Sequence, residues 1–281
     1  FMNEKNRGLL YVLLGAIAFS LGGIFVKLIP WNPIAINAGR CIFSSLIIYS
    51  YIRLSKHRLI VNRTVVLGGL CVAAMLLCYV ASIKYTSAAN AIVLEYTAPI
   101  FIVIFEALFF RKKPDRLDLI VCLVVFIGIC IVVSEGLGKG GLFGDMVALA
   151  SGVFYAFTIM LNDFEGGDSL SSVLFGHVLT AIIGFPFIFQ QDLSLNNMFL
   201  VVALGIFQAG AGYTLLAVGL KKSEPLAASL VASIEPVLNP ILVAVFYKEY
   251  VGVRTLLGAF IVIVSIAVYN ILSLKRNKES T

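Results

Sequence analysis

Charge is what this sequence has least of. Only 13% of its 281 residues are Asp, Glu, Lys or Arg and 60% are hydrophobic, against roughly a quarter charged and half apolar in a soluble domain. A chain so poor in charge cannot cover a soluble domain with polar surface, so most of it belongs in lipid. Histidine is scarcer still. The two residues, His57 and His177, cannot form an H-E-x-x-H zinc motif, and neither G-x-S-x-G nor a pair of helical aspartates occurs, which leaves a membrane enzyme without a catalytic constellation. No G-x-x-x-x-G-K-[ST] loop is present to hold ATP. The five cysteines, Cys41, Cys71, Cys78, Cys122 and Cys130, lie in apolar stretches with no C-x-x-C spacing, so they read as small core residues. No cofactor and no metal are expected. Strict apolar/polar alternation is also missing, which excludes a transmembrane barrel, and no repeated ring of charge suggests a pore.

Long apolar runs fill the space that these absences leave. They lie near Leu9–Leu28, Pro33–Ile52, Val66–Ile83, Ala88–Phe110 and Leu119–Val133, then near Gly144–Leu161, Ser172–Phe189, Met198–Leu220, Leu226–Tyr247 and Val253–Leu272. About 20 apolar residues cross a bilayer core as a helix. Backbone groups in lipid must bond internally, so the runs are helices and the expected fold is an all-α integral membrane protein with ten transmembrane helices.

Basic residues set the orientation. With the N-terminus cytoplasmic, fifteen lysines and arginines fall on that side and five on the other, and Arg40 inside a span completes the total of 21. That is a positive-inside distribution with both termini cytoplasmic. The basic residues cluster at span ends, so the net charge of +6 points to lipid headgroups and not to nucleic acid. Asn62-Arg63-Thr64 is a glycosylation sequon that this topology places on the silent, cytoplasmic side.

A half-length echo organises the spans. A shift of 137 residues carries Lys84 onto Lys221, Ala91 onto Ala228, Pro99 onto Pro236 and Gly39-Arg40 onto Gly176-His177, and a shift of 135 carries Phe19 onto Phe154. The organisation expected is a first five-helix repeat at 1–135, a glycine-rich linker at 136–143 and a second five-helix repeat at 144–281. Five helices per half make the two repeats inverted, the arrangement in which secondary transporters build a site at the midplane.

Polar residues inside the spans are the candidates for function. Arg40 lies about two turns into its span, where an arginine costs about 2.5–3.5 kcal/mol. It either reaches headgroups and carbonyls, or it binds a substrate carboxylate or pairs with Glu95. Glu95 shares a face with Ala91 and Pro99, and the proline leaves the Glu95 carbonyl without its helical donor. Glu235 precedes Pro236, with Asn239 one turn on and a further bend at Pro240. Pro99, Pro236 and Pro240 are the expected helix bends. Glu95, His177 and Glu235 are candidate proton carriers, with helix packing as the other reading of His177. Arg40, Glu95, Tyr79, Tyr96, Tyr155, Gln208 and Tyr213 are candidate substrate contacts, although buried tyrosines also serve simply to bond neighbouring helices. Glu106, near a span end, reads as structural.

The chain resembles the EamA family of the drug/metabolite transporter superfamily over nearly its whole length. The resemblance rests on Phe19 and Phe154, Gly39-Arg40, the stretch 81–89 leading to Pro99, the stretch 219–228 leading to Glu235-Pro236, and Lys248-Glu249. It departs at Lys112, where the family often has a glutamate. The resemblance implies ten helices in two inverted halves and a bacterial inner-membrane exporter of small metabolites. With Glu95 set beside Arg40, the expected cargo is a small amino acid or amine-bearing metabolite moved by alternating access, with proton coupling as one source of energy. Import or exchange of a related metabolite is the alternative within the same class, and a membrane enzyme is the alternative outside it. The partners expected are the small-molecule substrate and membrane lipids. A periplasm-dependent reporter fused to the C-terminus should remain inactive, and an active fusion would remove the ten-span topology.

Overall fold

A computed structural model of the protein describes residues 4–111, 113–114, 116–136, 141–220, 222, 231–232, 234–247 and 251–279, which form helices and turns with no strand among them. The helices are α1 (Glu4–Ser20), α2 (Gly22–Leu28), α3 (Pro33–Leu54), α4 (Arg63–Tyr85), α5 (Ala88–Glu95), α6 (Ala98–Phe109) and α7 (Arg116–Gly136). They continue with α8 (Leu142–Met160), α9 (Ser169–Ile188), α10 (Leu195–Ala203), a π turn (Leu204–Ala211), α11 (Gly212–Leu220), α12 (Glu235–Tyr247) and α13 (Val253–Glu279). Among the described residues, seven helical stretches are long and apolar enough to cross a membrane, and Leu119–Ile131 and Val253–Tyr269 are shorter apolar helices. The expected ninth span is described only at Val231, Ala232, Ile234 and α12. Residues 223–230 lie outside the described residues, as do Lys112, Lys221, Lys248-Glu249 and positions 137–140 of the linker.

Local chemistry explains where the helices start. Asn32, Asn62, Ser87 and Asp168 sit just before α3, α4, α5 and α9, and each side chain accepts a backbone N–H of the first turn. This satisfies donors that have no intrahelical partner. The sequon residue Asn62 has both ends of its amide engaged: Oδ1 accepts from Val65 N at 2.8 Å and Nδ2 donates to the Gly166 carbonyl at 2.7 Å.

Helices α3 and α9 pack against each other and are tied at both ends. At one end Trp31 Nε1 donates to the Asp192 carbonyl at 2.8 Å and Asn32 N donates to Gln191 Oε1 at 3.1 Å. At the other, Ile60 N donates to Ser171 Oγ at 3.1 Å, Thr64 Oγ1 donates to the Glu165 carbonyl at 2.9 Å, and His57 Nε2 lies 3.0 Å from Asp168 Oδ2. The start of α3 therefore meets the end of α9 and the end of α3 meets its start, so the two helices are antiparallel.

The remaining packing is reciprocal between residues 4–136 and 142–279. Helix α4 lies on α8 as α1 lies on α11; α4 touches α9 as α3 touches the π turn; α5 and α6 lie on α8 as α12 lies on α1 and α2; and α7 pairs with α13. A buried polar cluster adds to these contacts: Asp145 Oδ1 accepts from Thr86 Oγ1 at 2.7 Å and Asn90 Nδ2 at 3.2 Å, and Asn90 Oδ1 accepts from Thr255 Oγ1 at 2.7 Å. Large apolar side chains such as Leu123, Phe126, Leu257 and Phe260 remain exposed on α7 and α13, as helix faces in lipid do.

Asp168 lies outside the spans, and three effects act on its carboxyl. Burial works against its charged form, but hydrogen bonds from Ser171 and from His57 outweigh burial and hold its pKa below the ordinary value. A carboxyl with a lowered folded pKa contributes stability above its unfolded value and loses it as pH falls through the folded one. Asp168→Ala should lower stability by about 1–2 kcal/mol, the cost of a lost cap. Asp168→Asn, which keeps the cap but not the charge beside His57, should recover most of that loss near neutral pH. Thermal unfolding of detergent-solubilised protein reads both, and equal losses in the two variants would show that the contact with His57 outweighs the cap.

Candidate functional site

Arg40 enters the core because α3 starts with a cap from Asn32 and a proline in its first turn, which places Arg40 two turns in with 1% of its surface exposed. Its Nε donates to Asn37 Oδ1 at 3.0 Å, one turn back on the same face, and Asn37 Nδ2 donates to the Leu76 carbonyl at 3.0 Å. Nη1 donates to Gln208 Oε1 at 3.3 Å and Nη2 to the Leu76 carbonyl at 3.5 Å. Every one of these acceptors is neutral. Among the described residues no carboxylate lies within 4.0 Å of Arg40.

Glu95 is placed by a helix break. Pro99 sits in the first turn of α6, so its missing N–H cannot close the turn on the Glu95 carbonyl, and α5 ends at Glu95 with Tyr96 and Thr97 in a turn. Thr97 bonds back within the turn, its Oγ1 donating to the Leu94 carbonyl at 2.7 Å. The break lies against bare backbone at Gly152, where an added Cβ would stand 2.8 Å from Thr97 Oγ1 and 3.0 Å from the carbonyl oxygens of Leu94 and Glu95. Its neighbour Ser151 donates from Oγ to Glu95 Oε1 at 2.7 Å.

Glu235 is the first residue of α12. Pro236 follows at the second, where a missing N–H leaves no gap in the helix, and Pro240 lies within α12. Glu235 Oε2 accepts from the Tyr96 hydroxyl at 2.9 Å, and that hydroxyl also lies 3.2 Å from the Ala232 carbonyl. A carboxylate of the second half is thus held by the turn that breaks a helix of the first.

A cavity of about 30 Å³ lies between the α5–α6 break and the start of α12, space for the centres of roughly two waters. Arg40, Tyr79, Glu95, Tyr96, Tyr155, Gln208 and Tyr213 all line it, together with Glu235, Phe19, Met75, Leu76 and Leu216. Tyr79 OH accepts from Asn239 Nδ2 at 3.3 Å, the Tyr96 and Tyr155 rings lie 6.0 Å apart, and Tyr213 meets Phe19 edge-on at 4.8 Å. His177 stands apart: it is fully buried behind Tyr213 at 5.0 Å between rings, with Nδ1 2.8 Å from the Val173 carbonyl and Nε2 without a partner among the described residues. The candidate substrate contacts therefore share one cavity with Glu235, and His177 is outside its lining.

Two features differ from the sequence reading. Arg40 and Glu95 do not form an ion pair: the guanidinium is held by Asn37, Leu76 and Gln208, and Glu95 is held by Ser151. Asn37 and Ser151 were not singled out as candidates, yet they anchor the two charges. The spacing of Asn37 and Arg40, i and i+3 in an apolar span, is a signal that could have found the first. Ser151 is a common small residue of membrane helices and carries no comparable signal. Among the described residues no three His, Cys, Asp or Glu side chains group to hold a metal.

The sequence profile of the EamA-like transporter family matches the chain twice, over residues 6–134 and 142–271. The chain belongs to the EamA-like transporter family. Similar proteins include a Clostridium kluyveri protein described as an uncharacterized transporter, 26% identical over 67% of this chain and 66% of that protein. Another is human solute carrier family 35 member G1, 26% identical over 92% of this chain and 77% of that protein. The chain thus spans about two thirds of the length of the Clostridium relative. A solved crystal structure superposes with a TM-score of 0.69 at 17% identity, covering 95% of this chain and 98% of the other, which establishes a shared fold. The chain is a multi-pass membrane protein of this transporter family, and residues of both matched stretches line its polar cavity.

Gly152→Ala tests the packing at the break. In an ordinary helix Ala is better than Gly by about 1 kcal/mol. Here the added Cβ meets backbone oxygens, so the change should destabilise by about 1–3 kcal/mol, as overpacking does. The sign of the shift in melting temperature decides: a rise would mean that the break is not held against α8.

Proposed function

We propose that the protein is a secondary active transporter that exports a small amino acid or amine-bearing metabolite across a bacterial inner membrane by alternating access. The observation that carries this reading is the small cavity between the helix break at Tyr96-Thr97 and the start of α12, lined by residues of both halves that include one guanidinium and two carboxyl groups. A cavity of this volume has to widen for a substrate to enter, and the break at Tyr96-Thr97 is a place where helix segments can tilt without losing a full ladder of hydrogen bonds. The reciprocal packing and the antiparallel α3 and α9 support two inverted five-helix repeats, 1–135 and 144–281, with both termini cytoplasmic.

The charges in the cavity support proton coupling. With both carboxylates ionised, Arg40, Glu95 and Glu235 sum to −1, and a zwitterionic amino acid leaves that sum unchanged. Net charge buried away from water is costly. One proton with the amino acid restores neutrality, so binding would weaken as pH rises and the proton is lost; a proton carried together with the substrate drives uptake under an inward proton gradient, the direction of the import alternative. Arg40 would take the substrate carboxylate and Glu95 the amine or the proton.

Glu95→Gln removes one negative charge and keeps an oxygen for Ser151. The variant should bind substrate without a proton, flattening the pH dependence of gradient-driven uptake over about pH 5.5–8 while sparing substrate-for-substrate counterflow in the same proteoliposomes. A variant that keeps the wild-type pH dependence would move the coupled proton to Glu235 or His177. A wild-type protein that gives no counterflow with any amino acid or amine would overturn the substrate class.

A further inference from the structure

Gln208 holds an unusual place in this cavity. It is the side chain from the second half that reaches Arg40, and it does so from a π turn. A π turn carries one extra residue, and an extra residue rotates the next helical segment by about 100° around the axis, so such turns decide which side chain faces a site. The turn is set close against α3: a Cβ added at Gly205 would stand 2.7 Å from the Arg40 carbonyl oxygen. On its other side, the Gln208 amide nitrogen lies over the bare backbone of Gly22, where a Cβ would stand 3.2 Å away. Gln208 is 3% exposed, lines the cavity, and offers Oε1 to Arg40 Nη1 at 3.3 Å.

We infer that Gln208 is the specificity-determining residue of the site: its neutral amide occupies Arg40 in the empty state and gives way to a substrate carboxylate, so that the transporter selects amino acids over the corresponding amines. This rests on the transport reading above and names the substrate class within it. A guanidinium presents five donors in a fork that matches a carboxylate, and the 3.3 Å bond to Gln208 and the 3.5 Å bond to Leu76 are long for charge-assisted bonds. A carboxylate can replace them with shorter ones. An amide fits the empty state because it offers an oxygen without cancelling the charge. A glutamate in its place would neutralise Arg40 permanently and add a second acceptor for an amine.

Charge balance gives the same direction for the change from amide to carboxylate. With Gln208 the cavity is neutral when it holds a zwitterion and one proton or a monocation and none, so the wild-type preference rests on the carboxylate that Arg40 binds. With a glutamate there, the same load leaves one negative charge, whereas a monocation and one proton leave none. Gln208→Glu should therefore exchange an amino-acid preference for an amine preference.

The experiment measures competition in counterflow by matched pairs, leucine against isopentylamine and phenylalanine against phenethylamine, for wild type, Gln208→Glu and Gln208→Leu. Wild type should prefer the amino acid of each pair by about tenfold or more, Gln208→Glu should reverse the preference, and Gln208→Leu should keep it and bind the amino acid several-fold tighter because Arg40 has lost its internal acceptor. A wild type that transports neither member of either pair sinks the underlying transport reading. If wild type takes amino acids but the ratio in Gln208→Glu is unchanged, the role given to Gln208 fails while transport stands. Should Gln208→Glu not fold, an unaltered affinity in Gln208→Leu overturns the inference by itself.

Discussion

A guanidinium buried with only neutral oxygens around it is the constraint on which the rest of the structure depends. Arg40 cannot lie in a span without acceptors, and its acceptors come from three elements: Asn37 on its own helix, the Leu76 carbonyl on α4 and Gln208 on the π turn. Holding the charge therefore draws α3, α4 and the α10–α11 span together. The bare backbone at Gly205 gives the third element its close approach. Because these acceptors are neutral, the positive charge persists into the cavity, where Glu95 and Glu235 supply the opposite sign without closing on it.

One carboxyl group belongs to a helix break and the other to a helix start, and this joins local backbone chemistry to the interface between the halves. The α5–α6 break exposes backbone groups that lipid could not satisfy and is buried on α8 at Gly152, while the first residue of α12 meets Tyr96 from that break. Movement at the break would change what holds both glutamates. By contrast, α3 and α9 are tied by hydrogen bonds at both ends, and a pair fastened in this way is a frame against which other elements can move.

Much of the site was legible because membrane spans leave polar residues little reason to be present. Arg40, Glu95 and Gln208 could be chosen on that ground, and each lines the cavity. Pro99 marked its break because a missing N–H is a local fact. What misled was distance. Arg40 and Glu95 each needed compensation and appeared to lie at similar depth, so pairing them was economical, but each found a nearer neutral partner. Similarly, the half-length echo aligned Arg40 with His177, and depth along a helix did not reveal that Tyr213 stands between His177 and the cavity.

The sequence by itself determined that the chain lives in lipid, where its helices begin, where one of them breaks, and which few polar residues are unusual enough to suggest function. Those properties follow from hydrophobicity, capping and proline, all of which act within a few residues. Only the tertiary structure decided that Ser151 and not Arg40 would hold Glu95, that Tyr96 would reach across to Glu235, and that a π turn would turn Gln208 toward the guanidinium. Such pairings depend on how far helices approach and how they are rotated about their axes. Both are set by packing among residues distant in the chain, because a span apolar on nearly every face carries no strong pattern of its own to say which side turns inward.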